Sequence, residues 1–271
     1  MGNMHRRIVL CTLSVCVLLV ALSGFTSAQT RQIVAIAHRG EHLHHPENTL
    51  PALQAAIDLG MDYAELDVRT TTDGKLVLMH DPTVDRMTND KGKVAKMTLD
   101  QIRRLDAGVN FGPQFVGTKV PTFEEALRMA HGKIGIYVHV KSVTPQVLVD
   151  ILEREDMLDK VVIFCEDQTY HRRIHALRPN LKVMPEAVDR KTLEAAIADL
   201  HPKVIAFEAA DFHDDLIAIT KQAGAAVYVD RFEEADAPSG YQDAIDRGAD
   251  GIQTNRPEDL MKFLRSKGYH K

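Results

Sequence analysis

The chain has no tryptophan and only three cysteines among its 271 residues. Cys11 and Cys16 lie in an apolar N-terminal stretch, which leaves Cys165 alone in the body of the chain. A single thiol closes no internal disulfide and completes no cysteine-based metal motif. Cys165 ends the apolar run Val161-Val162-Ile163-Phe164 and is expected as a small buried hydrophobe rather than a nucleophile. No run of Lys and Arg points to nucleic acid or an anionic membrane. No Pro/Gly/Ser linker, low-complexity tract or short repeat divides the chain, and beyond residue 28 no segment is long and apolar enough to span a bilayer.

The first 28 residues carry their own signal. Met1–Arg7 is short and basic, Ile8–Phe25 is almost wholly apolar, and Thr26-Ser27-Ala28 supplies small residues for cleavage before Gln29. This is the pattern of a secretory signal peptide, with an uncleaved anchor as the alternative and a lipoprotein reading through Cys16 weaker. Losing Arg6 and Arg7 takes the formal charge from −5 to −7. Residues 29–271, about 240 in all, are expected to form one domain within the usual size of an α/β barrel.

Along that domain, apolar β-rich runs alternate with amphipathic helical segments. Strands are predicted at Ile33–His38, Tyr63–Arg69, Ile134–Lys141, Val161–Cys165, Lys182–Glu186, Val204–Glu208, Ala226–Asp230 and Gly251–Thr254. Helices are predicted between them, with capping-box spacing at Thr98/Gln101 and Thr122/Glu125. Eight strand–helix units favour closure into a (β/α)₈ TIM-type barrel with right-handed crossovers. The alternative is an open doubly wound sheet, but no Gly-rich phosphate fingerprint follows any strand.

One excursion interrupts the alternation. Asp73-Gly74 lies between β-rich arms and predicts a β-hairpin after the second strand, closed by a two-residue type I′ turn. That turn pairs Thr72 with Lys75, Arg69 with Leu78 and Asp67 with His80. Glu65, Asp67 and Arg69 then share one face, and His80 projects beside Asp67. Two carboxylates and an imidazole at one place suit a hard cation with an acid/base group at its edge. The plain alternative is an edge hairpin with polar outer residues. In the third barrel strand, Tyr137, His139 and Lys141 fall on the face opposite Ile136, Val138 and Val140. Polar residues therefore recur at three successive strand ends, where a barrel carries its chemistry.

His38-Arg39-Gly40, Pro46-Glu47-Asn48-Thr49, Glu65-Leu66-Asp67, Thr72-Asp73-Gly74 and His80-Asp81 together resemble the glycerophosphodiester phosphodiesterase family. Pro121–Leu127 and Asp250–Pro257 continue the resemblance over nearly all of residues 29–271. It implies a barrel enzyme that hydrolyses phosphodiesters with one divalent cation, calcium or magnesium. His38 and His80 would be the acid/base pair, Arg39 would contact phosphate, and Glu65 and Asp67 would bind metal. Glu47 would support the site and is counted with its ligands. Three departures stand out. His139-Val140-Lys141 occupies the place of a Glu-x-Lys pair whose Glu is a ligand. The common Trp near the seventh strand is absent, with Tyr228 or Phe232 in that region. A frequent Thr-Asp ending is here Thr254-Asn255.

With His139 as a ligand, the donor set shifts towards manganese, zinc or iron, because imidazole suits transition metals. The other reading of His139 is an interior residue bonded to Tyr137 or Lys141. Lys141 would bind substrate phosphate or pair with Glu65 or Asp67. His42, His44 and His45 are expected in a solvated loop rather than at a second metal. His131, His171, His175, His201 and His213 are expected at the surface. Glu166, Glu186, Glu208 and Asp230 end later strands, where they would line a pocket or form rim salt bridges. The leading expectation is an exported, periplasmic or extracellular hydrolase of a small-molecule phosphodiester. A lyase forming a cyclic phosphate and a catalytically impaired binding barrel are the alternatives.

Overall fold

The computed structural model describes residues 31–271, together with Gly2. The leader expected at the N-terminus otherwise lies outside the described residues. The strands are β1 (Val34–Ala37), β2 (Tyr63–Thr70), β3 (Leu76–Leu78), β4 (Gly135–Ser142), β5 (Val161–Phe164), β6 (Val204–Phe207), β7 (Ala226–Arg231) and β8 (Gly251–Thr254). The α-helices are α1 (Leu50–Leu59), α2 (Leu99–Ile102), α3 (Phe123–Ala130), α4 (Pro145–Arg154), α5 (Gln168–Leu177), α6 (Arg190–Leu200), α7 (Asp214–Gln222), α8 (Pro238–Arg247) and α9 (Pro257–Lys267). Among the described residues no helix is long and apolar enough to cross a membrane.

Seven strands run parallel in the order β5-β4-β2-β1-β8-β7-β6, and β3 hangs from β2 as an antiparallel arm. The strand predicted at Lys182–Glu186 is reduced to two single bridges, Ile163 with Val183 and Glu186 with Ala206. Pro185 explains the reduction, since it has no N–H to give to a ladder and central strands exclude it. Those bridges still join β5 to β6, so the sheet curls round as a TIM-type barrel. Inside it, Ile36, Tyr137, Val162, Phe164, Met184 and Ala206 form the barrel interior. The opposite faces of the same strands, including Ile136, Val138 and Val140, pack against the helices. Cys165 is partly buried against that outer layer.

Helix entries follow the sequence closely. Thr98 with Gln101 and Thr122 with Glu125 both form complete capping boxes. The hairpin does not follow it. Observed pairs are Val68–Leu78, Arg69–Val77 and Thr70–Leu76, one residue out of the predicted register. Gly74 alone takes positive φ (75°), so the turn is not type I′. Thr71 and Lys75 close a three-residue loop instead: the Thr71 N–H donates to the Lys75 carbonyl, and the Thr71 hydroxyl accepts from the Lys75 N–H. The segment from Pro82 to Pro121 then covers one flank of the mouth with a small core of its own, including Val84, Ile102, Leu105 and Val120.

Candidate active site

The turn after β1 is where the chain first commits functional groups. β1 pairs with β2 through Ile36–Tyr63 and Ala37–Ala64, which brings the next residue, His38, level with Glu65. His38 Nε2 lies 3.9 Å from Glu65 Oε2. Arg39 follows with φ 54°, a conformation that costs about 1–3 kcal/mol in a non-glycine residue. The turn directs the Arg39 N–H at Glu65 Oε2, 2.8 Å away. Gly40 completes it with φ 78°, and a Cβ there would stand 2.8 Å from the Ala52 carbonyl carbon. Only glycine lets the turn close on α1.

Glu65 and Asp67 alternate onto the same face of β2, and β4 stands in register beside them, Glu65 with Tyr137 and Asp67 with His139. His139 Nδ1 is 3.4 Å from both Glu65 Oε1 and Asp67 Oδ1. The other oxygen of each carboxylate is held. Glu65 Oε2 accepts from Arg39, and Asp67 Oδ2 accepts from Asn48 Nδ2 at 2.7 Å. Asn48 Oδ1 in turn accepts from the Asp67 N–H at 2.9 Å. Glu65 Oε1 and Asp67 Oδ1 are thus buried without a hydrogen-bond partner. Each residue offers one donor atom, and the three lie within 4.8 Å of one another.

Bare buried carboxylate oxygens are unfavourable unless a cation meets them. The field of the site shows the same demand. Burial and the neighbouring Glu65 charge push the Asp67 carboxyl up. Burial would raise Glu65 too, but His139 and the charge of His38 carry it below the usual range. Burial disfavours a charged His139, yet Glu166, Glu65 and Asp67 outweigh it and raise the imidazole to about 9. Two oxygens and one nitrogen fit a divalent ion, with the nitrogen favouring a transition metal.

Glu47, expected among the ligands, is not brought to this cluster. Its two oxygens are taken by guanidinium groups, Arg39 NH1 at 3.1 and 3.2 Å and Arg86 at 2.8 and 2.9 Å. It positions Arg39 instead. The Arg39 Nε–H is left buried without an acceptor, 3.7 Å from Asp67 Oδ2. Lys141 Nζ lies 2.6 Å from His139 Nε2 and 3.7 Å from Asp67 Oδ1. His139 Nε2 also meets Glu166 Oε1 at 3.0 Å. Its predicted interior partner Tyr137 does not bond it.

The hairpin does not deliver His80 as predicted. With the register shifted by one, it is Met79 whose N–H donates to the Asp67 carbonyl, at 3.0 Å. His80 lies beyond β3, half-buried, with Nδ1 2.8 Å from Asp81 Oδ1 and its carbonyl held by Arg69. Its charge still reaches Asp67. Asp81 is itself clamped by Arg86, so Arg86 links His80 to Glu47 and Arg39.

Several supporting residues were not assigned roles from the sequence. Asn255 Oδ1 lies 2.6 Å from His38 Nδ1, and Phe232 stacks on the His38 ring with centroids 4.7 Å apart. Asp236, buried, accepts from the Asn255 N–H at 2.8 Å and from Tyr241 Oη at 2.7 Å. Asn48 and Asn255 both stand inside quoted motifs, which was the available signal. Of the loop histidines, His44 is exposed as expected, while His42 and His45 are half-buried. Glu41 is buried and binds His45 Nδ1 at 2.6 Å and His44 Nδ1 at 3.0 Å, while His42 Nδ1 meets the His38 carbonyl at 2.7 Å. His171, expected at the surface, is fully buried because α5 turns it against the barrel.

Comparisons with known proteins agree with this site. The model of the glycerophosphoryl diester phosphodiesterase family matches residues 38–259. A glycerophosphodiester phosphodiesterase of Caldanaerobacter subterraneus is 31% identical over 252 residues, covering 87% of this chain and 99% of the relative. The crystal structure of one from Agrobacterium tumefaciens superposes with a TM-score of 0.77 at 28% identity, over 85% of this chain and all of that one. An Oleispira antarctica phosphodiesterase, solved in complex with the product sn-glycerol-3-phosphate, shares the fold at 23% identity with a TM-score of 0.78, over 87% and 97% of the two chains. From Glu65, Asp67 and His139 at the barrel mouth to the match over residues 38–259, the findings converge: this phosphoric diester hydrolase belongs to the glycerophosphodiester phosphodiesterase family.

Proposed function

We propose that the protein is an exported, metal-dependent hydrolase that splits glycerophosphodiesters into glycerol phosphate and an alcohol. The observation that carries metal dependence is the pair of bare buried oxygens, Glu65 Oε1 and Asp67 Oδ1, facing His139 Nδ1. Those three residues would hold one divalent cation, which when bound neutralises phosphate charge and polarises its P–O bonds.

The chain's own groups account for the rest. Arg39, with its Nε–H unspent and its NH1 fixed by Glu47, presents a guanidinium to a phosphate oxygen. Lys141 adds a second positive charge on the same side. Burial lowers His38 to about 4, so it is neutral at ordinary pH. Its Nδ1 proton goes to Asn255, leaving the Nε2 lone pair to take a proton from the attacking water. Asp81 holds His80 through Nδ1, leaving Nε2 to hand a proton to the departing alkoxide. Water oxygen bonds to phosphorus as the phosphorus–alkoxide bond breaks, and the two histidines balance the protons.

Export rests on the leader pattern of Met1–Ala28, and an N-terminus at Gln29 on the protein recovered outside the cytoplasm would establish it. The reaction is tested by product analysis with a glycerophosphodiester and a divalent cation. Glycerol phosphate plus free alcohol is the expected outcome. A cyclic phosphate would mean attack by the substrate's own hydroxyl and would overturn the hydrolytic reading.

A further inference from the structure

The cavity above this site, about 300 Å³, is lined on its far side by Glu186, Glu208 and Asp230, with Phe207 and Phe232 among its walls. None of the three carboxylates has a salt-bridge partner among the described residues. Arg231, next to Asp230 in sequence, turns away to Asp243 at 3.2 Å and over the ring of Phe212. Glu166, the remaining acid of the cavity, is already spent on His139 and Lys141. The three free acids also act on one another: burial raises Glu186 and Asp230, the latter to about 7, and the Glu208 charge adds to both.

A second feature points into the same space. Tyr137 is 8% exposed, lines the cavity, and its hydroxyl has no hydrogen-bond partner among the described residues. Glu65 and Asp67 on one side and Asp230 and Glu186 on the other all oppose its ionisation, which places it between the metal-binding carboxylates and the free ones. A hydroxyl carried by a nine-tenths buried side chain and open to the cavity without a partner among the described residues is a donor available to something bound.

A cavity that must admit a phosphodiester anion gains nothing from three uncompensated carboxylates unless the other end of the substrate is positive. The Phe232 ring beside those acids adds attraction for an ammonium group. We propose that Glu186, Glu208 and Asp230, with Phe232, form a subsite for a cationic alcohol, so that the enzyme prefers diesters whose leaving group carries an ammonium. This deepens the phosphodiesterase reading and rests on it for turnover, though not for binding.

Two measurements test it. Hydrolysis of glycerophosphocholine and glycerophosphoethanolamine is compared with that of the neutral glycerophosphoglycerol. The cationic pair is expected to show kcat/KM about tenfold higher, the scale of a partly desolvated ammonium–aromatic and ion contact. Glu208→Gln, at an exposed position that tolerates the change, and Asp230→Asn should raise KM for the cationic diesters by a larger factor than for the neutral one. Equal rates on all three, or equal losses in the variants, would overturn the subsite while leaving the phosphodiesterase standing. The second measurement needs no turnover: calorimetric titration with free choline. Binding that weakens in Glu208→Gln supports the subsite. No binding of choline, or binding no tighter than that of glycerol, refutes it even if no diester is cleaved.

Discussion

At the wall of the mouth formed by β1, β2 and β4, each charged side chain is held by a neighbour, with Glu65 Oε1, Asp67 Oδ1 and Arg39 Nε left bare. Arg39 is fixed by Glu47, Glu47 by Arg86, Asp67 by Asn48, and His38 by Asn255 and Phe232. At the opposite wall, where segment 182–186, β6 and β7 end, Glu186, Glu208 and Asp230 have no such partners among the described residues. The first wall holds reacting groups in one geometry, which chemistry demands. The second sets a field and leaves room, which suits recognition of a variable group.

The largest effect should come from removing the bare oxygens. Glu65→Gln or Asp67→Asn should lower kcat/KM by about 10³-fold or more, the scale of losing preorganised charge stabilisation, with metal content falling in parallel. Loss of activity with full metal content would separate these residues from the ion. Next, His38→Ala or His80→Ala should lower turnover by about 10²-fold or more with the fold intact by circular dichroism. Near-normal turnover in both would remove the acid/base pair, and loss in one only would break the division of labour drawn from Asn255 and Asp81.

His139 gives a prediction with a sign. A ligating imidazole must be neutral, and in the free protein Glu166 and the carboxylates raise its pKa to about 9. Metal affinity should therefore already fall as pH drops below about 9, rather than below the ordinary histidine value near 6.5. His139→Glu should flatten that dependence and move metal preference towards calcium or magnesium. An identical metal ranking in both proteins, with the same pH dependence, would return His139 to an interior role. The smallest effect belongs to the outer pinning. Glu47→Gln should lower kcat/KM by about tenfold through loosened Arg39, as supporting partners commonly do, and leave metal affinity unchanged. A drop in metal affinity would restore Glu47 to the ligand set.

Periodicity and caps made the barrel legible, because each strand buries one face and each helix one stripe regardless of what lies far away. The bridge at 182–186 was less so, since Pro185 weakens pairing without removing the apolar run that signals a strand. The hairpin register differs by one residue from the expected one because Asp-Gly fits both a two-residue and a three-residue turn. The Thr71 hydroxyl contacts that select the longer loop appear only in three dimensions. A one-residue slip flips every side chain, which is why His80 reaches the rim by another route. Glu47 sat in the right motif, but its role was decided by Arg86, far along the chain and outside any motif. Glu186, Glu208 and Asp230 were visible as strand ends. Their lack of partners was not.

The central claim is that Glu65, Asp67 and His139 hold a divalent cation on which phosphodiester hydrolysis depends. It is tested most directly by stripping the protein with a chelator, measuring hydrolysis of a glycerophosphodiester, and adding back a series of divalent ions while metal content is determined. The account predicts about one ion per chain, activity lost on stripping and restored by readdition, and neither binding nor recovery in Glu65→Gln or Asp67→Asn. Full activity in the metal-free protein, or an ion bound equally well by those variants, would contradict it.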